Sequence, residues 1–320
     1  MKKTLRSRWM VFMPVLLAGI VLFTACQTQQ KQDDGYGHLQ PHIAFALAQN
    51  AYERGEYEQA LVYYTAVVEA HERGEPSGVE DAALLHDTGL TCFRLARYEE
   101  ALEYFGRAQA IWENSPEAHE EEIALVLMNT GTVYREQGAF DDAIAVYQKA
   151  LESRERLFGR ESPETADVNL NIGNLLLGQE EYEQALGYYQ QALAAYEEAY
   201  GAKHPDTSKA YLNTGIALQN QGEMEEALAY YQKALEGMIE SYGADHPVTA
   251  CIYCSLGSAL YDQGEYHEAL DYFLKAYRVG REKLGEEHPD TQDYRNNLIL
   301  AYDAAGMKNF NRWLSAQLSS

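Results

Sequence analysis

Three histidines, His204, His246 and His288, recur at intervals of 42 residues, and each is followed by proline. Imidazole is the commonest metal ligand, so the first chemistry to weigh is a metal centre. Zinc requires ligand nitrogens about 2 Å from one ion, whereas residues in equivalent places of successive stacked units lie about 10 Å apart. The trio therefore reads as capping or packing, and no metal site is expected. Cys251 and Cys254 have the Cys-x-x-Cys spacing of redox motifs but lack the βαβ setting that gives it meaning. Small lining residues are the better account, and a disulfide switch in an oxidising compartment is the alternative. The acidic stretch Glu117 to Glu122 fits a solvated helix start, where carboxylates meet the positive end of the helix dipole. The sequence contains no HExxH, GxSxG, phosphate-loop or dinucleotide glycine pattern. No catalytic residue and no cofactor is expected.

The elements that must position these groups are written into one period. Ala60, Ala101, Ala143, Ala185, Ala227 and Ala269 are separated by 41 residues once and by 42 thereafter. Twelve residues before each stands another small residue: Ala48, Gly89, Gly131, Gly173, Gly215 and Gly257. Two helices that cross closely need small side chains at the crossing, and this pairing supplies one from each. Turns such as Arg54-Gly55-Glu56-Tyr57 and Gln221-Gly222-Glu223-Met224 lie between them, with glycine at the left-handed position that ends a helix. A second ladder, Gly159, Gly201, Gly243 and Gly285, is followed by Pro163, Pro205, Pro247 and Pro289, so glycine stops one helix and proline starts the next. Ser162, His204, His246 and His288 hold the N-cap place, and Thr165, Thr207, Thr249 and Thr291 complete the pattern. Apolar residues such as Ala185, Leu186, Tyr189, Ala192, Leu193 and Tyr196 fall at helical spacing and form the core face.

These residues resemble the tetratricopeptide repeat, whose pattern is a Leu-Gly pair, a Tyr, then Gly-x-Tyr-x-x-Ala and a later aromatic. Ile172-Gly173, Gln179 in the usual glycine place, Tyr182, Ala185 and Tyr189 show it in one unit. The 42-residue spacing with His-Pro-Asp-Thr between units is similar to the kinesin light chain type. The resemblance implies an all-α fold, a right-handed α-solenoid of about seven helix-turn-helix repeats over residues 40–311. The last repeat is cut short as a cap, with Trp313 and Leu314 sealing the apolar edge and 312–320 left as a tail. It further implies that the first helix of each unit lines a concave wall and that the position two before the small residue points into it. Those positions are Asp87, Asn129, Asn171, Asn213, Ser255 and Asn297. An amide carries both donor and acceptor and can pair with a peptide backbone whatever its side chains, so a column of asparagines suits an extended ligand. Phe93 and Tyr261 could stack on ligand side chains, while Arg94, Arg135 and Lys209 could meet a carboxylate. Cys251 and Cys254 fall on the same side of their helix.

Composition narrows the partner. Lys and Arg number 25 against 49 Asp and Glu, a net charge of −24, so nucleic acid is disfavoured. Hydrophobic residues make up 46% and prolines number only 8, which excludes disordered and collagen-like classes. The four cysteines imply no disulfide framework. Lys2, Lys3, Arg6 and Arg8 precede an apolar run from Trp9 to Phe23, the layout of a secretory signal. The run is shorter than the roughly 20 apolar residues a membrane span needs. Its end, Phe23-Thr24-Ala25-Cys26, resembles a bacterial lipobox, with Phe23 where the family usually places Leu. That resemblance implies cleavage after residue 25 and acylation of Cys26, with palmitate among the chains; residues 26–39 then read as a flexible tether. Gln27 is similar to the outer-membrane sorting pattern of enteric bacteria.

Together these readings lead us to expect a non-enzymatic adaptor on the periplasm-facing side of a bacterial envelope, the outer membrane in a Gram-negative cell. It would be held by a lipid and would bind protein or peptide segments in its groove. A pilot or assembly lipoprotein of a secretion, pilus or outer-membrane machine, and a peptide-sensing regulator of an envelope enzyme, are the alternatives. Oligomeric state stays open.

Overall fold

The computed structural model describes residues 40–74, 80–115 and 117–319, so the signal, the tether and Cys26 lie outside the described residues. All regular structure within them is helical, and the chain divides into two compact units that meet inside one helix, at Ala150 and Leu151.

The first unit carries α1 (Pro41–Glu53), α2 (Tyr57–Glu72), α3 (Asp81–Arg94), α4 (Tyr98–Glu113), α5 (Glu120–Glu136) and the start of α6 (Phe140–Phe158). α1 packs on α2 and α3 on α4 as antiparallel pairs, and α2 then meets α3 and α4 meets α5. The second unit holds the end of α6 and then α7 (Pro163–Gly178), α8 (Tyr182–Tyr200), α9 (Pro205–Gln221), α10 (Met224–Tyr242), α11 (Pro247–Gln263), α12 (Tyr266–Lys283), α13 (Pro289–Ala304) and α14 (Phe310–Ser319). It repeats the same scheme, α7 on α8, α9 on α10 and α11 on α12, with each second helix leaning on the next first helix. The stretch 312–320, read as a tail, is helical through Ser319. Leu314 is buried there, and Trp313 packs beside Phe310 and Tyr302 as an end seal.

The small-residue pairs sit where helices cross. A Cβ placed on Gly215 would lie 3.3 Å from the carbonyl oxygen of Ala227, the same approach that Gly89 makes to Ala101. The tighter neighbour is the aromatic sixteen residues on. Cβ atoms on Gly131, Gly173 and Gly215 would stand 2.6, 2.5 and 2.6 Å from Tyr147, Tyr189 and Tyr231, and Gly89 and Gly257 face Phe105 and Phe273 in the same way. Each glycine is thus the socket for a buried ring.

The loops between pairs behave as the spacing predicts. Ser162 Oγ accepts from the Thr165 N–H at 3.2 Å, and the Nδ1 atoms of His204, His246 and His288 accept from the backbone N–H two residues on, each at 3.2 Å. Thr165, Thr207 and Thr249 are fully buried and donate back to the carbonyls of Gly159, Gly201 and Gly243. The histidines are therefore caps. The turn inside each pair needs one correction. Gln179 has φ −88°, and the left-handed residue of that turn is Glu180 at φ +65°, in register with Gly138, Gly222 and Gly264. Ala96, at φ +56°, fills the same place in the turn between α3 and α4.

Candidate partner-binding wall

The first helices of successive pairs touch each other directly within each unit, α3 on α5 in one and α7 on α9, α9 on α11 and α11 on α13 in the other. The face they share is where the sequence placed its candidate residues. In the first unit Asp87 is half-buried on α3. Asn129 reaches back from α5, its Nδ2 lying 2.9 Å from His86 Nε2. Phe93 lies against Tyr98, ring centres 6.0 Å apart. Arg94 Nε donates to the Tyr52 hydroxyl at 3.3 Å, and Arg135 gives two N–H groups to Glu136 Oε1 at 3.2 and 2.9 Å.

The second unit shows the amide column at closer range. Asn213 Nδ2 donates to Asn174 Oδ1 at 3.0 Å, and Tyr189, rising from α8, donates its hydroxyl to the same oxygen at 2.9 Å. Tyr231 does likewise to Gln219 Oε1 at 2.7 Å. The Gln219 amide then donates across to Ser258 Oγ and Asp262 Oδ2 on α11, at 3.2 and 2.8 Å. Asn297 Nδ2 donates to Cys254 Sγ at 3.3 Å. Asn171 is half-buried. Ser255 is 2% exposed, and its hydroxyl is bonded to its own helix at Cys251 O. Lys209 is paired with Asp206 at 2.9 Å, and Tyr261 sits by Tyr266, ring centres 5.2 Å apart.

Three consequences follow. Asn129, Asn213 and Asn297 tie α5 to α3, α9 to α7 and α13 to α11, so they set the register of those helices as well as the chemistry of their shared face. Arg94, Arg135 and Lys209 each already hold a partner from this chain, so a ligand carboxylate would have to compete for them. Acidic groups stand on the same face, where burial holds the carboxyls of Asp167, Asp262 and Asp293 above their usual range. The Tyr196 hydroxyl at 2.5 Å from Asp167 and the Gln219 amide on Asp262 offset part of that rise.

Cys251 and Cys254 point at α13, where the Tyr294 hydroxyl lies 3.1 Å from Cys251 Sγ and Asn297 meets Cys254. Burial pushes their thiols up to about 11 and about 12, and both are free. They pack one first helix against the next. The residues that sequence reasoning missed are the wall-facing hydroxyls of Tyr147, Tyr189 and Tyr231, which bond Thr132, Asn174 and Gln219. Their signal was available. Where the ring sixteen residues after the glycine is tyrosine, a polar residue stands one or four places after that glycine.

The tetratricopeptide repeat profile matches residues 39–114, 80–156, 122–198, 164–236, 206–282 and 249–309. The chain belongs to the tetratricopeptide repeat family. No curated protein matches its sequence. Among solved structures it is similar to BtubC (BKLC) from P. vanneervenii, at 17% identity and TM-score 0.59, over 78% of this chain and 92% of that one. The apo form of RapI aligns at 16% identity and TM-score 0.59, over 84% and 99%. A putative kinesin light chain with nearly identical TPR-like repeats, from Podosopora anserina, aligns at 17% and TM-score 0.54, over 63% and 95%. At such identities these likenesses speak for the fold, which is the one the period of 42 predicts.

Proposed function

We propose that this tetratricopeptide repeat protein is a non-enzymatic scaffold that holds extended segments of partner proteins against the wall of its first helices. The observation that carries this reading is the half-buried amides that the first helices of each unit present on their shared face. Asn129, Asn213 and Asn297 each spend one N–H on the neighbouring repeat. An amide can make up to about four hydrogen bonds, so each keeps capacity for a visiting backbone and is already held in place by the bond it has made. Fixing a side chain before the ligand arrives lowers the ordering cost of binding.

The scaffold works, in this reading, at a bacterial envelope, tethered through acylated Cys26 and a polar leader. The support lies in the sequence: four cations, a short apolar run and small residues before that cysteine. No helix among the described residues is long and apolar enough to cross a membrane. An acidic body gains nothing from anionic lipid, so acyl chains at about 0.8 kcal/mol per buried methylene would supply the attachment. Replacing Asn171 and Asn213 together by Ala should weaken partner capture while helicity stays intact; unchanged capture overturns the wall assignment. Fatty-acid labelling that persists in Cys26→Ser would overturn the tether.

A further inference from the structure

A small pocket opens on the wall of the first unit, about 160 Å³, lined by Gln49, Tyr52, Glu53, Tyr64, Asp87 and Leu90. Tyr64 is the counterpart, in the first pair, of Tyr147, Tyr189 and Tyr231, standing sixteen residues after Ala48 as they stand after their glycines. Those three each bond a wall residue of their own pair. Tyr64 is 2% exposed, and among the described residues its hydroxyl makes no hydrogen bond although it lines the pocket. The residue is buried but its hydroxyl opens onto the pocket, so its oxygen is free to meet a group that enters from outside.

The surrounding groups say what. Glu53 has no cationic partner among the described residues, and the nearest for Asp87 is His86 Nδ1 at 3.6 Å, beyond hydrogen-bond reach. Both carboxylates, after burial itself, raise the pKa of Tyr64, which keeps it a neutral phenol with a lone pair to offer. The face of the Tyr52 ring adds an electron-rich wall. Arg94 touches the Tyr52 hydroxyl but is exposed and is not among the lining residues. An anion would meet two carboxylates.

We propose that this pocket receives one basic side chain, the ammonium of lysine or the guanidinium of arginine, from the segment held along the wall. The ligand N–H groups would bond the Tyr64 oxygen and the carboxylates of Asp87 and Glu53. The inference rests on the scaffold reading above and gives it a polarity: the partner segment is basic where it passes the first two repeats.

The test uses the full chain and four fluorescent, acetylated and amidated nonapeptides that differ only in a central Lys, Arg, Gln or Glu, with anisotropy as the readout. Lys and Arg peptides should bind about tenfold tighter than Gln, and Glu weakest, the span of a partly desolvated cation contact. Asp87→Asn and Tyr64→Phe should each bring the Lys-to-Gln ratio towards one while leaving circular dichroism unchanged. Equal binding of all four peptides, insensitive to both variants, overturns the pocket and leaves the wall standing. No binding by any of them overturns the wall, and the pocket with it. Displacement of the Lys peptide by free 1,4-diaminobutane at lower concentration than by unlabelled peptide would make the pocket a small-amine site and refute a peptide subsite.

Discussion

Gly173→Ala tests the ring-in-socket packing. The added Cβ would stand 2.5, 2.7 and 3.1 Å from Cε1, Cδ1 and Cζ of Tyr189, where carbon atoms prefer about 3.5–4.0 Å. Tyr189 cannot swing aside, because it is fully buried and its hydroxyl is bonded to Asn174. Overpacking of this kind costs about 1–3 kcal/mol. Alanine also gains about 1 kcal/mol over glycine in a helix interior, so the bare variant understates the clash. Gly187 in the partner helix supplies the control, since it is exposed and a Cβ there would meet nothing within 4 Å. Gly187→Ala should stabilise by about 1 kcal/mol, and the difference between the two variants isolates the clash at about 1–3 kcal/mol. Urea unfolding should be read together with hydrogen exchange of amides in α7 and α8, because repeat arrays need not unfold as one unit. Tyr189→Leu in the Gly173→Ala background should recover part of the loss relative to each single change, a coupling that a remote effect would not show. Equal stabilisation by both alanines would refute the packing.

Other outcomes follow from the same geometry. Glu180→Gly and Ala96→Gly should each stabilise by about 0.5–1 kcal/mol in chemical denaturation, because a left-handed residue with a Cβ is strained by about 1–2 kcal/mol and glycine's extra unfolded-state entropy returns only part of that. His246→Ala removes the acceptor for the Val248 N–H and should lose about 1 kcal/mol, with His246→Ser restoring most of it. Asp262 is raised in the folded chain, so the native state binds more protons than the unfolded one above the unfolded pKa, and stability falls as pH rises through the window up to the folded pKa. Asp262→Asn keeps an acceptor for Gln219 and should flatten that slope in pH-dependent melting. Cys251 and Cys254 should react with a thiol reagent at neutral pH only as fast as α11 and α13 separate, because their buried thiols stay protonated; rapid labelling of the native chain would contradict this.

Much of the fold was legible because the repeat states it six times over. The alanine and glycine ladders locate the crossings, the Gly-to-Pro spacing locates the caps of α7, α9, α11 and α13, and the capping histidines could be told from ligands by distance alone. The left-handed turn residue was harder to place in the pair where glycine is absent, since Gln179 and Glu180 are both polar and only the register with Gly138 and Gly222 decides between them. The wall was legible as a set of positions but not as a network. Contacts such as Asn213 with Asn174 and Asn129 with His86 join residues 39 and 43 apart. Those offsets depend on how far each first helix slides along the one before it, which a period of 42 does not give. Tyr64 illustrates the same limit, because its lack of a partner is visible only after its counterparts are seen bonded.

The claim that matters most is that the first-helix wall, and no other face, holds a partner segment. A photoreactive residue at position 213 and another at position 187, on the exposed side of α8, compare the two faces inside intact cells, with mass spectrometry mapping each adduct. Position 213 should capture one extended stretch of a partner, displaced by that stretch as a synthetic peptide, and position 187 should capture nothing that the peptide displaces. Equal, peptide-insensitive capture at both positions would contradict the account.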